Sequence, residues 1–330
     1  MAAAGAAAST HISMRRVLRH LPTALACLIA ALIVQWVEKR IDPLRRAGSF
    51  SSADFDGALA GEDFAGAYKV WCRLRQESPD PAREFASQRV GQLEAELAGV
   101  AQQWTPGTEL DADSRMTVTR VLRRTAVFAP TEVAEALLQR ALKVKPFAGA
   151  AEEFLWEFWH RSGDLEVDAA LEQGVSQMVA GNDEKLNEAL RTFKALTTAQ
   201  PHFAEGINKL ATVLYMLRHY DASLEACKLV LQAKPNHFGA LSGAGLVNIE
   251  KAKAELRQAR GSDEAGPSGS RGSVVEAHQI RLKHTEIAKR HLQSAHECFL
   301  ELLKWHPHSY SGIRNLRMVE EYLGIGQGGS

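Results

Sequence analysis

AEGINKLATVLYMLRHYDASLEACKLVLQAKP, residues Ala204–Pro235, carries two apolar stripes at helical spacing with a short polar turn between them. Ile207, Leu210, Ala211 and Leu214 recur at i, i+3, i+4 and i+7; Tyr220, Ser223, Cys227 and Val230 recur at i, i+3, i+7 and i+10. Either pattern puts an apolar face along one side of an α-helix. Pro235 closes the second stripe, because proline lacks the N–H that a continuing helix requires. Ala211 and Ser223 are small, so the two helix backbones can approach closely. The stretch predicts a helical hairpin.

Its neighbours repeat it. Upstream, Leu186, Ala189, Phe193, Leu196 and Pro201 match the second helix and its closing proline. The mate of that helix falls near Val167–Ala180, with Leu171, Val175 and Met178 inward and Gly181-Asn182-Asp183 as the turn. Downstream, Phe238–Ala259 opens a third unit with Leu241, Ala244 and Gly245, and Leu292, Ala295, Phe299, Leu302 and Pro307 close it. Pro201 and Pro235 are 34 residues apart, whereas Pro235 and Pro307 are 72 apart, so the third unit has gained 38.

This spacing resembles the tetratricopeptide repeat, a helix–turn–helix unit of 34 residues. More narrowly, PHFAEGINKLATVLY and PNHFGALSGAGL are similar to a bacterial-type group of such proteins that also occurs in photosynthetic eukaryotes. The resemblance covers residues 165–308, with His308–Leu323 as a partial capping helix. It implies an all-α array over 165–323 whose first helices line a concave surface that binds an extended segment or a partner helix. On that reading the candidate groove residues are Asn208, Lys209, Thr212, Tyr215, Ser242 and Asn248. Tyr215 is the strongest of them, because aromatic anchors dominate interface energetics. Some relatives grip a chaperone's carboxyl terminus with Lys, Arg and Asn on successive first helices. Here Asn208 and Lys209 are followed, in the next unit, by Gly239, Ser242 and Gly243, so that clamp is incomplete.

The gain in the third unit has a readable shape. KAKAELRQAR (Lys251–Arg260) favours helix, Gly261–Ser273 has the composition of a flexible linker, and a polar helix is expected from about Val274 to Trp305. The flexible insertion is therefore expected near 260–274. Lengthening a loop costs only about 0.6 kcal/mol per doubling, so the array tolerates it.

Residues 53–160 read as a helical domain of unassigned type. Phe64, Ala67, Tyr68, Trp71 and Leu74 share a helical face that ends at Ser78-Pro79-Asp80-Pro81. Further helices are expected over Ala82–Val100, Ser114–Phe128, Thr131–Val144 and Ala150–His160. The last of these carries Phe154, Trp156, Phe158 and Trp159, which fit a packing cap on the array better than a ligand box.

The N-terminus differs in kind. Residues 1–20 are basic and acid-free, with the Ala and Ser content of a targeting segment. Leu21–Val37 (LPTALACLIAALIVQWV) holds 17 residues without a charge, the short end of what spans a bilayer. Arg15, Arg16 and Arg19 flank one side, Lys39, Arg40, Arg45 and Arg46 the other, and Trp36 sits at an interfacial position. The expectation is an uncleaved single-pass anchor in an organellar membrane, plastid or mitochondrial. Basic residues on both flanks leave its orientation open, and a cleaved organellar peptide is the alternative.

Charge excludes one class of partner. Residues 1–50 carry a balance of +5 and the rest of the chain −5, for a net of +0. A mildly acidic body offers no general attraction to nucleic acid. The cysteines Cys27, Cys72, Cys227 and Cys298 form no C-x-x-C pair, and read as free thiols. Gly239, Gly243 and Gly245 lack the preceding strand that a phosphate-cradling loop needs. The late histidines His278, His284, His291, His296, His306 and His308 include no i, i+4 pair of the zinc-binding kind. No catalytic residue, metal, cofactor or small-molecule substrate is expected.

The leading expectation is a membrane-anchored scaffold or adaptor that binds a protein partner. Two alternatives stand beside it: a structural or accessory subunit of a membrane enzyme complex, and an enzyme built on the unassigned residues 53–160.

Overall fold

The computed structural model describes residues 52–264 and 271–325. The targeting-like segment 1–20, the anchor expected at Leu21–Val37, the middle of the linker and the last five residues lie outside the described residues. Every regular element among the described residues is an α-helix, and none is long and apolar enough to cross a membrane.

Polar caps start many of the helices. Asp63, Asp111, Asp164, Asn182 and Ser309 each accept a backbone N–H from the first turn that follows, at 2.8–3.2 Å. These side chains satisfy donors that a helix leaves free at its start. In chain order the first six helices are α1 (Ser52–Ala60), α2 (Phe64–Glu77), α3 (Pro79–Gln103), α4 (Ala112–Ala126), α5 (Glu132–Leu142) and α6 (Ala148–Trp159). Trp71, Val90, Leu122, Phe128 and Leu138 fill their core. The Trp71 indole N–H donates to the Ala129 carbonyl at 2.8 Å, so the largest buried ring there is also satisfied.

Three hairpins follow: α7 (Leu165–Ala180) with α8 (Asp183–Ala199), α9 (Ala204–Met216) with α10 (Tyr220–Ala233), and α11 (Phe238–Glu264) with α12 (Arg271–Trp305). The last helix, α13 (Tyr310–Leu323), packs on α12. Helices pair within each hairpin, and α8 packs on α9 and α10 on α11, while the first helices α7, α9 and α11 adjoin in sequence. This is the arrangement that the spacing of Pro201, Pro235 and Pro307 predicts. Ile207, Ala211 and Leu214 of α9 bury against Ala226, Cys227 and Val230 of α10, and the Ser223 hydroxyl donates to the Ala211 carbonyl at 2.8 Å.

Both edges of the linker expected near 260–274 are helical, and its middle lies outside the described residues. Helix α11 continues to Glu264 and α12 is already helical at Arg271. A glycine inside a helix costs only about 1 kcal/mol, so Gly261 and Gly272 do not by themselves end one. One further helix, α1, lies upstream of those read from the sequence, in a stretch too short to show a long apolar period.

From Phe55 onward the described helices belong to one compact unit. Its seam runs between α6 and the array. Trp156 meets Phe238 edge-on at 5.1 Å, and Trp159 stacks on His237 at 4.1 Å with the planes 16° apart. The Trp159 indole donates to Glu135, which also pairs with Lys234 at 2.9 Å. Phe154, Phe158 and Trp159 are buried packing, whereas Trp156 stays half-buried at the edge of the seam.

Candidate partner groove

The first helices α9 and α11 place side chains one position off the core stripe on their shared open side. There they border a cavity of about 400 Å³. Asn208, Lys209, Thr212 and Tyr215 enter it from α9, Ser242 from α11, and Trp156 and Glu152 from α6. Phe238, Leu246 and Leu302 make its apolar walls, and Ser309 and Ser311 stand near its rim. Five of the six residues that the sequence nominates thus line one cavity.

Asn248 does not. Its side chain is 5% exposed, its amide donates to the Ala244 carbonyl at 3.0 Å, and its Oδ1 lies 3.2 Å from His291 Nδ1. The residue braces α11 against α12. Its position supplies the reason: seven residues after Leu241, it falls back on the core stripe.

Beneath the cavity sits Glu205, 1% exposed, which sequence reading passed over. Its Oε2 accepts from Asn208 Nδ2 and lies within hydrogen-bond distance of His237 Nε2, both at 3.1 Å. Oε1 pairs with Lys209 Nζ at 2.9 Å, and His160 Nε2 stands 3.3 Å away, off the line of a hydrogen bond. His237 Nδ1 accepts the Ala240 N–H at 3.1 Å, so its proton sits on Nε2 and points at the carboxylate. Burial alone would raise the pKa of Glu205; contacts from His160 and His237 and the Lys209 charge outweigh it and hold the carboxyl far below its ordinary range. The Lys209 ammonium also lies 5.1 Å over the Trp156 ring. Glu205 and Lys209 are an i, i+4 pair, a signal readable in the sequence.

At the far wall Glu152 Oε2 meets His306 Nε2 at 3.1 Å, which ties the end of α12 back to α6. That hydrogen bond, opposed by partial burial, lowers the Glu152 pKa. Cys227 lies on the floor, its thiol pushed up to about 12 by burial.

A second polar cluster joins α2 to α7. Tyr68 donates to Asp168 at 2.6 Å and accepts the Gly163 N–H at 3.0 Å; Asp168 also takes the Ser162 N–H and hydroxyl at 2.7 and 2.6 Å. Burial and the Asp168 carboxylate raise the Tyr68 pKa far above its ordinary value, so the phenol stays a donor. The cluster fastens the chain where α6 gives way to α7.

No protein-family model matches the chain. It is 30% identical over 90 residues to a TPR repeat-containing protein of Rhizobium etli. That match covers 27% of this chain and 42% of the relative, so the chain spans less than half of the relative's length. The stacked hairpins and this similarity agree: the chain carries a tetratricopeptide-repeat-like helical array.

Proposed function

We propose that the protein is an adaptor whose α9–α11 groove takes a segment of another polypeptide, and that it recruits or assembles that partner at a membrane. The observation that carries this reading is the convergence of Asn208, Lys209, Thr212, Tyr215 and Ser242 on one cavity walled by Trp156, Phe238 and Leu246. Aromatic walls with a few polar groups are what anchor-type recognition requires. The TPR repeat-containing relative supports an interaction role rather than turnover chemistry. The buried Glu205 and Tyr68 are held by neighbours in ways that favour one fixed protonation state each, which suits a scaffold more than proton transfer.

The apolar run Leu21–Val37 is the proposed anchor, in a plastid or mitochondrial membrane. Alkaline extraction of fractionated organelles tests that part: an anchored protein stays in the pellet, a peripheral one is released.

The binding role is tested by filling the groove. Thr212→Trp and Ser242→Trp add bulk where the cavity is open. The full chain, isolated from its native membranes, is expected to retain a partner polypeptide that the filled variants lose while their helical circular dichroism is kept. A partner retained equally by the filled variants contradicts the reading.

A further inference from the structure

Among the described residues, two charged side chains line the groove, Lys209 and Glu152. They differ in what stands behind them. The Lys209 side chain is 14% exposed, and its ammonium is 2.9 Å from the Glu205 carboxylate, itself 1% exposed. The positive charge is cancelled from beneath, by a group that solvent and partner do not reach. Glu152 is 43% exposed and has the nearly buried His306 imidazole on one oxygen. Of the two charges on the lining, Glu152 is therefore the more accessible.

We infer that the groove takes a partner segment that seats a large apolar side chain among Trp156, Phe238 and Leu246 and places a Lys or Arg beside it against Glu152, and that it disfavours an acidic chain end. The inference rests on the adaptor reading and adds the partner's chemistry to it. A cavity of about 400 Å³ admits one or two large side chains, not the whole face of a helix. Half-buried Trp156, packed edge-on against the nearly buried Phe238, lines the pocket on the side where such a side chain would sit. An incoming carboxylate would lose water and meet Glu152 with no uncommitted cation to receive it, since Lys209 already pairs with Glu205. An incoming ammonium or guanidinium finds a half-exposed carboxylate at the edge of an apolar pocket, where its alkyl stem also packs.

The probes are two fluorescein-labelled peptides of equal length that share a Leu-Trp-Leu centre. One is flanked by lysines and ends in an amide; the other is flanked by glutamates and ends in a free carboxylate. Anisotropy titrations use the full chain in mild detergent at low salt, where the charge contrast is least screened. The basic peptide is expected to bind about tenfold more tightly or better, one charge-pair's worth of discrimination. Glu152→Gln is expected to shrink that preference to about threefold or less while the helical circular dichroism at the assay temperature is kept, and Thr212→Trp to abolish binding of the basic peptide. Equal or tighter binding of the acidic peptide, a preference that survives Glu152→Gln, or binding of neither peptide overturns the inference. A native partner lost on groove filling, together with any of those results, leaves the adaptor reading standing and removes only the charge assignment.

Discussion

The ring of Phe299 occupies the space that a side chain on Gly245 would need: a Cβ there would stand 2.5 Å from Cζ and 2.8 Å from Cε1. The same fit recurs two hairpins upstream, where a Cβ on Gly174 would stand 2.5 Å from the Phe193 ring. Phe193, Cys227 and Phe299 follow the spacing of the closing prolines; the two phenylalanines fill a glycine gap on the mate helix, while the Cys227 sulfur lies against Gly243 of the next hairpin. Gly245→Ala gains about 1 kcal/mol of helix propensity but forces Phe299, which is 0% exposed, out of place. Overpacking of this kind costs about 1–3 kcal/mol, so the variant is expected to be less stable by about 1 kcal/mol. Denaturant melts check this, and adding Phe299→Leu to the variant should restore part of the loss.

Glu205→Gln leaves the Lys209 ammonium without its carboxylate in a site only 14% exposed. The expected loss is about 3 kcal/mol at pH 7. Because the folded-state pKa is depressed, this stabilisation is present above the unfolded value near pH 4.3 and is lost as pH falls through the folded value. The gap between wild type and Glu205→Gln should therefore be widest near neutrality and narrow below about pH 4.3. Urea midpoints across that range give the answer; a gap that widens on acidification contradicts the assigned role.

Burial pushes the Cys227 thiol up to about 12 and the Cys298 thiol up to about 11. Neither has appreciable thiolate at pH 8. Iodoacetamide under native conditions should leave both unmodified in a site-resolved mass spectrum, and modify both after denaturation. Native labelling of Cys227 would mean that α10 opens away from the floor of the groove.

Trp159 is stacked on His237, donates to Glu135 and lies 5.5 Å beneath the Lys234 ammonium, so it touches both sides of the seam. Trp159→Ala is expected to cost about 3–5 kcal/mol. It should also loosen the wall of the groove, because Trp156 packs edge-on against the same ring at 5.4 Å. Hydrogen exchange checks this: protection should fall in α6 and in the first turn of α11 together.

The hairpins were legible because Ile207, Ala211, Cys227 and Val230 lie on strict helical periods between turns, and because Pro201, Pro235 and Pro307 mark the ends. Periodicity reports local structure, and these contacts are local. The array's fit to α6 was not legible, since it depends on His306 meeting Glu152 across 154 residues. The groove was partly legible: positions beside the core stripe face the cavity, but the same arithmetic should have returned Asn248 to the core beside Leu241. Glu205 went unread because an i, i+4 pair with Lys209 normally means a solvated surface, and only the neighbouring helices bury it. At the edges of the expected linker, residues 261–264 and 271–273 are helical, because the intrinsic preferences of glycine and serine are weak next to helix propagation.

The most direct measurement is site-specific photocrosslinking in the native membrane. The photoreactive phenylalanine analogue p-benzoylphenylalanine replaces Tyr215, which lines the groove, or Leu229, which is 54% exposed on α10 and outside it. Irradiation is expected to yield a discrete adduct with another polypeptide from position 215 and none of that mass from position 229. The same adduct from both positions, or an adduct from 229 alone, would contradict the claim that the α9–α11 groove is where this protein binds its partner.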